Sequence, residues 1–261
     1  MEFQTIHVAT DERGVATLEL NGPSKHNAIC ETMASELRGA FERFAADGSV
    51  RLVLITGRGR TFCAGGDLTW FLQSLDESVE ARVMRSQQLG DLFAAMHGLP
   101  KPLIGRINGP AFGAGVGLAA VCDVAIGLDR CQFGFPETRI GLIPATFSPY
   151  VIRRIGAARA RSVMLSGERF EAARAHQFGL LDGVCADEDA LDARIEQLVE
   201  DHLEASPVAI AMTKELIEHL ADHQPDEARR WVAGKVGEIW ERGDAPSRIR
   251  RLLTKSGMHH E

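Results

Sequence analysis

Two short glycine-bearing stretches carry the residue types best suited to chemistry. They are Thr61-Phe62-Cys63-Ala64-Gly65-Gly66-Asp67 and Asn108-Gly109-Pro110-Ala111-Phe112-Gly113-Ala114-Gly115. Each follows an apolar run that reads as a buried strand and precedes a segment that reads as a helix. Backbone N–H groups at such junctions lack helical partners, and small residues let a ligand oxygen come close. Two junctions converging on one point would make an oxyanion hole, the device that stabilises a thioester enolate. In the first loop the Ala64 N–H would lie at the carboxyl end of the sheet, where open α/β sheets bind ligands. Asp67 is placed to cap the next helix. In the second loop the Ala114 amide leads the free N–H groups of a helix start. The bland alternatives are a plain connecting turn in the first loop and glycine-permitted helix packing at Gly115 and Gly117 in the second.

A third stretch, Cys131-Gln132-Phe133-Gly134-Phe135-Pro136-Glu137-Thr138-Arg139-Ile140-Gly141, sets one acid among apolar neighbours. Burial raises a carboxyl pKa toward neutrality, which suits a general acid/base. The competing reading is an ion pair of Glu137 with Arg139 or Arg153. Other motifs fail on spacing. Gly113-Ala114-Gly115 lacks the sixth-position glycine of a dinucleotide fingerprint, and no Lys-Ser/Thr follows it to make a phosphate-binding loop. No Gly-x-Ser-x-Gly elbow or His-Glu-x-x-His pair occurs. His219 and His223 share a helix face in polar surroundings, where solvent exposure rather than metal binding is expected.

The elements that must hold these loops alternate along the chain. Residues 14–20 read as a strand with 6–8 as its hairpin partner. Residues 51–56, 102–107 and 122–126 read as further strands, and 31–44, 79–96 and 113–120 as helices, with a stripe at Met33, Leu37, Ala40, Phe41 and Phe44. Near-continuous apolar strands alternating with helices argue for an α/β class with parallel βαβ units. After about residue 144 helices dominate, so 1–200 is expected to form the core with the site and 201–261 a helical C-terminal region. With 261 residues, 45% hydrophobic and 25% charged, the chain suits a soluble globular protein, and its net charge of −7 argues against general nucleic-acid binding. Five scattered cysteines (Cys30, Cys63, Cys122, Cys131, Cys185) without a Cys-x-x-Cys pair suggest reduced thiols. No secretory signal and no membrane span are visible in the sequence, so a cytoplasmic location is the expectation.

Taken in order, several segments resemble the crotonase superfamily of enoyl-CoA hydratases and isomerases. They are Lys25-His26-Asn27-Ala28, the two glycine loops, Cys122-Asp123, Phe133-Gly134 with Pro136-Glu137, and Gly141-Leu142-Ile143-Pro144. Leu165-Ser166-Gly167-Glu168-Arg169-Phe170 and Phe178-Gly179-Leu180-Leu181-Asp182 extend the likeness over nearly the whole chain. The resemblance implies a ββα spiral core with a C-terminal helical trimerisation region, assembled as a homotrimer or dimer of trimers. It implies that the Ala64 and Ala114 amides form the oxyanion hole and that Glu137 is the acid/base. Lys25, Ala28, Ala64, Gly65, Gly66, Asp67, Leu68, Gly113, Gly117 and Lys255 would line the substrate path. The implied substrate is an acyl-CoA thioester, with coenzyme A part of the substrate and no separate cofactor, metal or membrane partner. Position 117 departs from the two-carboxylate members, which carry glutamate there. The expected activity is hydration of a 2-enoyl-CoA, with the run 140–151 resembling a subgroup that acts on branched glutaconyl-CoA-type substrates. The alternatives are a double-bond isomerase using Glu137 alone and a non-catalytic coenzyme A-binding relative.

Overall fold

The computed structural model describes residues 3–255. The chain divides after Val199 into two compact units.

The first unit is built on a six-stranded sheet. Strands β1 (Ile6–Thr10) and β2 (Val15–Leu20) form the expected antiparallel hairpin. Strand β3 (Leu52–Gly57) pairs parallel with β2, placing Leu18 opposite Ile55. Strands β4 (Leu103–Ile107), β6 (Val124–Leu128) and β9 (Gly183–Cys185) continue the parallel order β2-β3-β4-β6-β9. Parallel neighbours need crossovers, and helices supply them, so these strands are buried and apolar. Leu18, Ile55, Ile104 and Ile107 are fully inaccessible to solvent. Helix α1 (Glu31–Ala46) lays its predicted stripe on this core and packs against α3 (Val79–His97). The short α2 (Leu68–Gln73) precedes α3.

A second sheet of three short strands carries the site's other wall. Strand β5 (Ala111–Phe112) pairs parallel with β7 (Gln132–Gly134), which pairs antiparallel with β8 (Arg169–Glu171). Helices α4 (Ala114–Ala120), α5 (Ser148–Ile155), α6 (Ala157–Met164) and α7 (Ala172–Phe178) fill the connections. Strands β8 and β9 lie in the stretch after residue 144, where the sequence shows helices and no strand. Each has three residues, too few to show a two-residue alternation, and each exists because an already formed edge strand offers it hydrogen bonds.

Helix α8 (Glu188–Glu204) leads to the second unit, made of α9 (Pro207–Asp222), α10 (Pro225–Arg242) and α11 (Ala245–Lys255). Within it α9 packs on α10, and the rings of His219 and Trp231 stack at 3.8 Å. Ile217, Val236, Trp240 and Leu252 stand exposed on these helices. No described helix is long and apolar enough to cross a membrane.

Candidate active site

Two buried asparagines fasten the loops together. Asn27, at φ 55°, donates from Nδ2 to the carbonyls of Arg58 (3.0 Å), Thr61 (2.8 Å) and Phe62 (3.2 Å). Asn108 donates to the Gly57 and Gly59 carbonyls at 2.8 and 2.9 Å, while its Oδ1 accepts from the Gly57 amide at 3.1 Å. A loop cannot bury its backbone polar groups without such partners. The glycines allow the close approach: a Cβ on Gly109 would lie 2.1 Å from the Arg60 carbonyl oxygen, and one on Gly115 would lie 2.2 Å from that of Cys63.

The first loop runs beside residues 26–29 in a strand-like pairing, and that pairing decides which amides are free. Ala64 N–H donates to the His26 carbonyl at 3.0 Å and Asp67 N–H to that of Ile29 at 2.9 Å. Ile29 N–H in turn donates to the Gly65 carbonyl at 2.7 Å. Ile29 and Gly66 are the bridged pair. In a parallel bridge of this kind the opposed residue, Gly66, turns its own N–H away from the partner strand. The expectation that Ala64 supplies an oxyanion-hole amide is therefore corrected: its donor is already spent on His26. The donor left without an acceptor among the described residues is Gly66, two positions on. Gly65 makes the turn at φ 95°.

The second loop keeps its predicted donor. Gly113, at φ 51°, starts α4; its amide donates to the Gly134 carbonyl at 2.9 Å, and its carbonyl accepts from Val116 and Gly117. Ala114 N–H has no acceptor among the described residues. The two loops touch, since a Cβ on Gly65 would sit 3.6 Å from the Ala114 nitrogen.

Glu137 lies in a short helical turn, Pro136–Ile140, and its carboxyl rests on Gly113: a Cβ there would be 2.3 Å from Oε1. Only glycine leaves room for the acid beside the Ala114 amide. Oε2 is buried without a hydrogen-bond partner. Arg139, one of the two rival ion-pair partners, instead donates to the Ser166 carbonyl at 3.0 Å. Burial pushes the Glu137 carboxyl above the usual range, opposed weakly by a hydrogen bond from its own backbone. The nearby Cys63 thiol, pushed up to about 12 by burial, stays protonated and is no nucleophile.

Two cavities meet at this point. One, of about 400 Å³, is lined by Lys25, Ala28, Ala64, Gly65, Gly66, Asp67, Leu68, Gly113 and Glu137. The other, of about 290 Å³, is lined by Gly66, Ala114 and Glu137 together with α2–α3 and 142–147 residues such as Trp70, Phe71 and Phe147. Lys25 is exposed and pairs with the buried Asp67 (Nζ to Oδ2 2.7 Å), and this contact holds the Asp67 carboxyl below its usual range. Asp67 also caps α2 by accepting from Thr69 N–H at 2.8 Å, as its position suggests. Gly117, expected on the substrate path, lines neither cavity. A Cβ there would lie 2.5 Å from Phe147 Cβ and 2.9 Å from Phe93 Cε1. Its place is packing between α4 and two buried rings. Lys255 closes α11, and its side chain lies outside the described residues. Among the described residues no group of His, Cys, Asp and Glu is arranged to hold a metal ion.

The chain from residue 10 to 237 matches the family model described as enoyl-CoA hydratase/isomerase. The chain belongs to that family. It is 37% identical over 205 residues to an enoyl-CoA hydratase of Alternaria alternata, covering 78% of this chain and 67% of the relative. It is 33% identical over 211 residues to the 2,3-dehydroadipyl-CoA hydratase of Escherichia coli, covering 80% of each. The crystal structure of an enoyl-CoA hydratase from Shewanella pealeana superposes with a TM-score of 0.93 at 29% identity, over 97% of this chain and 95% of that one. These likenesses establish the crotonase fold and an enzyme of this family, of the lyase type. An acyl-CoA thioester is the substrate that family membership implies.

Within this hydratase-family site, sequence reasoning missed Gly66 as the free donor because both Ala64 and Gly66 sit in one glycine-rich loop. Only the pairing with residues 26–29 separates them. It also missed Phe93 and Phe147, which close the space at Gly117, and two arginines of α3, Arg82 and Arg85, which line the smaller cavity.

Proposed function

We propose that the protein hydrates a 2-enoyl-CoA, with the Gly66 and Ala114 amides holding the thioester oxygen and Glu137 moving the protons. The observation that carries this reading is the Glu137 carboxyl, whose Oε2 is buried without a hydrogen-bond partner and whose Oε1 packs on Gly113, one residue before a free amide. Two N–H donors on the thioester oxygen withdraw electron density from C3 and stabilise the enolate that forms when water adds there. Ionised Glu137 takes a proton from the attacking water, and the new C3–O bond leaves the electron pair at C2 and the thioester oxygen. The same carboxyl then returns its proton to C2, which completes the addition of water with no net change in Glu137. Burial raises the Glu137 pKa, which makes the carboxylate a stronger base toward the attacking water. The larger cavity, with Lys25 and Ala28 at its edge, is the path for the pantetheine and nucleotide parts of the substrate.

The finer substrate reading is an acyl group of the branched glutaconyl type. It rests on the resemblance of residues 140–151. The dehydroadipyl-CoA hydratase relative, whose named substrate carries a second carboxyl group, supports the same direction. Double-bond migration is the second reading, favoured by the filled space at Gly117, since one carboxyl can take a proton from C2 and deliver it to C4. The exposed apolar residues of the C-terminal helices support assembly as a trimer or a dimer of trimers.

The test follows the conjugated-enoyl absorbance of crotonyl-CoA and 3-methylglutaconyl-CoA. Loss of absorbance with the wild-type enzyme and none with Glu137→Gln supports hydration. A 3-enoyl-CoA gaining absorbance while both of these persist establishes migration instead.

A further inference from the structure

The smaller cavity has a cationic wall that a hydrocarbon chain would not use. Arg82 and Arg85 lie one turn apart on α3 and both line it, in company with Leu89, Leu142 and Ile143. The two guanidiniums are differently employed. Arg85 is half-buried: Nη1 donates to the Trp70 carbonyl and to Ser74 Oγ, both at 3.0 Å, Nη2 pairs with Glu77, and the group lies 5.1 Å from the Trp70 ring centre. Its charge is balanced and both its terminal nitrogens are engaged. Arg82 donates Nε to the Ser74 carbonyl at 2.8 Å and Nη2 to the Leu75 carbonyl at 3.0 Å. Neither acceptor is charged, and no carboxylate among the described residues lies within ion-pair distance of Arg82. Arg85 and Glu77 cancel, so the α3 wall carries one uncompensated positive charge.

Two backbone carbonyls fix the Arg82 guanidinium in place, so little further rotamer entropy is lost when it takes a ligand. Nη1 is left to offer to the cavity. An acyl chain ending in a methyl group gains nothing from such a wall. A carboxylate at the chain's far end gains a charge-assisted hydrogen bond. We propose that Arg82 is the specificity-determining residue of this site, binding the terminal carboxylate of an acyl group whose thioester lies at Gly66 and Ala114, with Arg85 as the residue that positions the α2–α3 connection beneath it. The assignment rests on the reading of this cavity as the acyl pocket, and it adds to that reading the residue that selects dicarboxylic acyl groups.

Equilibrium binding separates the two. Glutaryl-CoA and pentanoyl-CoA differ only in carrying a carboxylate or a methyl group at the acyl end, and neither reacts, so calorimetric titration reads the subsite without any turnover. A charge-assisted hydrogen bond is worth roughly ten-fold or more in affinity. Wild type should therefore bind glutaryl-CoA about ten-fold or more tightly than pentanoyl-CoA. Arg82→Met should remove most of that preference, and Arg82→Lys should restore part of it. Arg82 is exposed, so neither substitution opens the core. Equal wild-type affinities, or a preference untouched in Arg82→Met, overturn the assignment. If wild type hydrates crotonyl-CoA but shows no preference, the subsite is wrong and the hydratase reading stands. A preference lost with Arg82→Met, in a protein that turns over no enoyl-CoA, upholds the subsite and refutes the hydratase reading.

Discussion

Installing the acid that two-carboxylate relatives carry, by Gly117→Glu, should damage this protein rather than improve it. A Cβ at 117 would lie 2.5 Å from Phe147 Cβ and 2.9 Å from Phe93 Cε1. Phe147 Cβ is the first atom of its side chain and cannot swing aside, so the backbone of α4 or of residue 147 must move. Both rings are almost wholly buried, with centroids 6.1 Å apart. Overpacking of this kind costs about 1–3 kcal/mol. Burying a carboxyl with no partner adds about 1–3 kcal/mol or more. Replacing a helical glycine returns about 1 kcal/mol. The net loss is roughly 1–5 kcal/mol, and at roughly 2–4 °C per kcal/mol the Tm should fall by about 2–20 °C. Thermal unfolding by circular dichroism, beside crotonyl-CoA hydration, reads both consequences. Phe147→Gly combined with Gly117→Glu should be less unstable than the two single losses added together, because it removes the colliding Cβ together with its ring. A Gly117→Glu protein with unchanged Tm and faster hydration would refute the packing argument and the one-acid reading with it.

Glu137→Gln should stabilise the enzyme near neutral pH by about 1 kcal/mol, since it removes a buried charge that has no partner for Oε2. The sign follows from the raised carboxyl pKa: the native state holds its proton at pH values where the unfolded chain has lost it. The wild-type contribution is thus fully present below the unfolded value and is lost as pH rises through the folded one. The Tm difference between variant and wild type should accordingly widen with pH and vanish in acid; a constant difference would count against a desolvated Glu137. Gly113→Ala puts a methyl group 2.3 Å from Oε1 at a φ of 51°, so kcat should fall at least ten-fold with the protein still folded, measurable by steady-state kinetics. Asn108→Ala removes the donors on the Gly57 and Gly59 carbonyls and should lower Tm by several degrees, about 1–3 kcal/mol for the carbonyls left unpaired. Light scattering after size exclusion should give a trimer or hexamer mass, and Trp240→Glu on the exposed face of α10 should shift it toward monomer; a wild-type monomer would remove the assembly proposal.

The long elements were legible because their burial is periodic. The stripe of α1 and the apolar runs of β3 and β4 each state which face is inside. The glycine loops announced the site, since Gly113 and Gly65 are needed where φ is positive and where Glu137 or Phe112 comes close. The donor identity was not legible. Ala64 and Gly66 differ only in which of them residues 26–29 engage, and that is a tertiary fact. The meaning of Gly117 was half legible: the missing acid shows in the chain, but the rings of Phe93 and Phe147 that occupy its space come from 24 positions before and 30 after it. Arg82 and Arg85 were invisible for a related reason, as arginines one turn apart on a helix ordinarily mark a solvated face. Only the turn of the chain between α2 and α3 brings them to the cavity.

The most direct measurement is a crystal structure with a bound unreactive acyl-CoA such as butyryl-CoA. The expected result is a thioester oxygen about 3 Å from both the Gly66 and Ala114 nitrogens, with the Glu137 carboxyl over C2 and C3. A thioester oxygen held elsewhere, or a Glu137 turned from those carbons, would contradict the proposed chemistry.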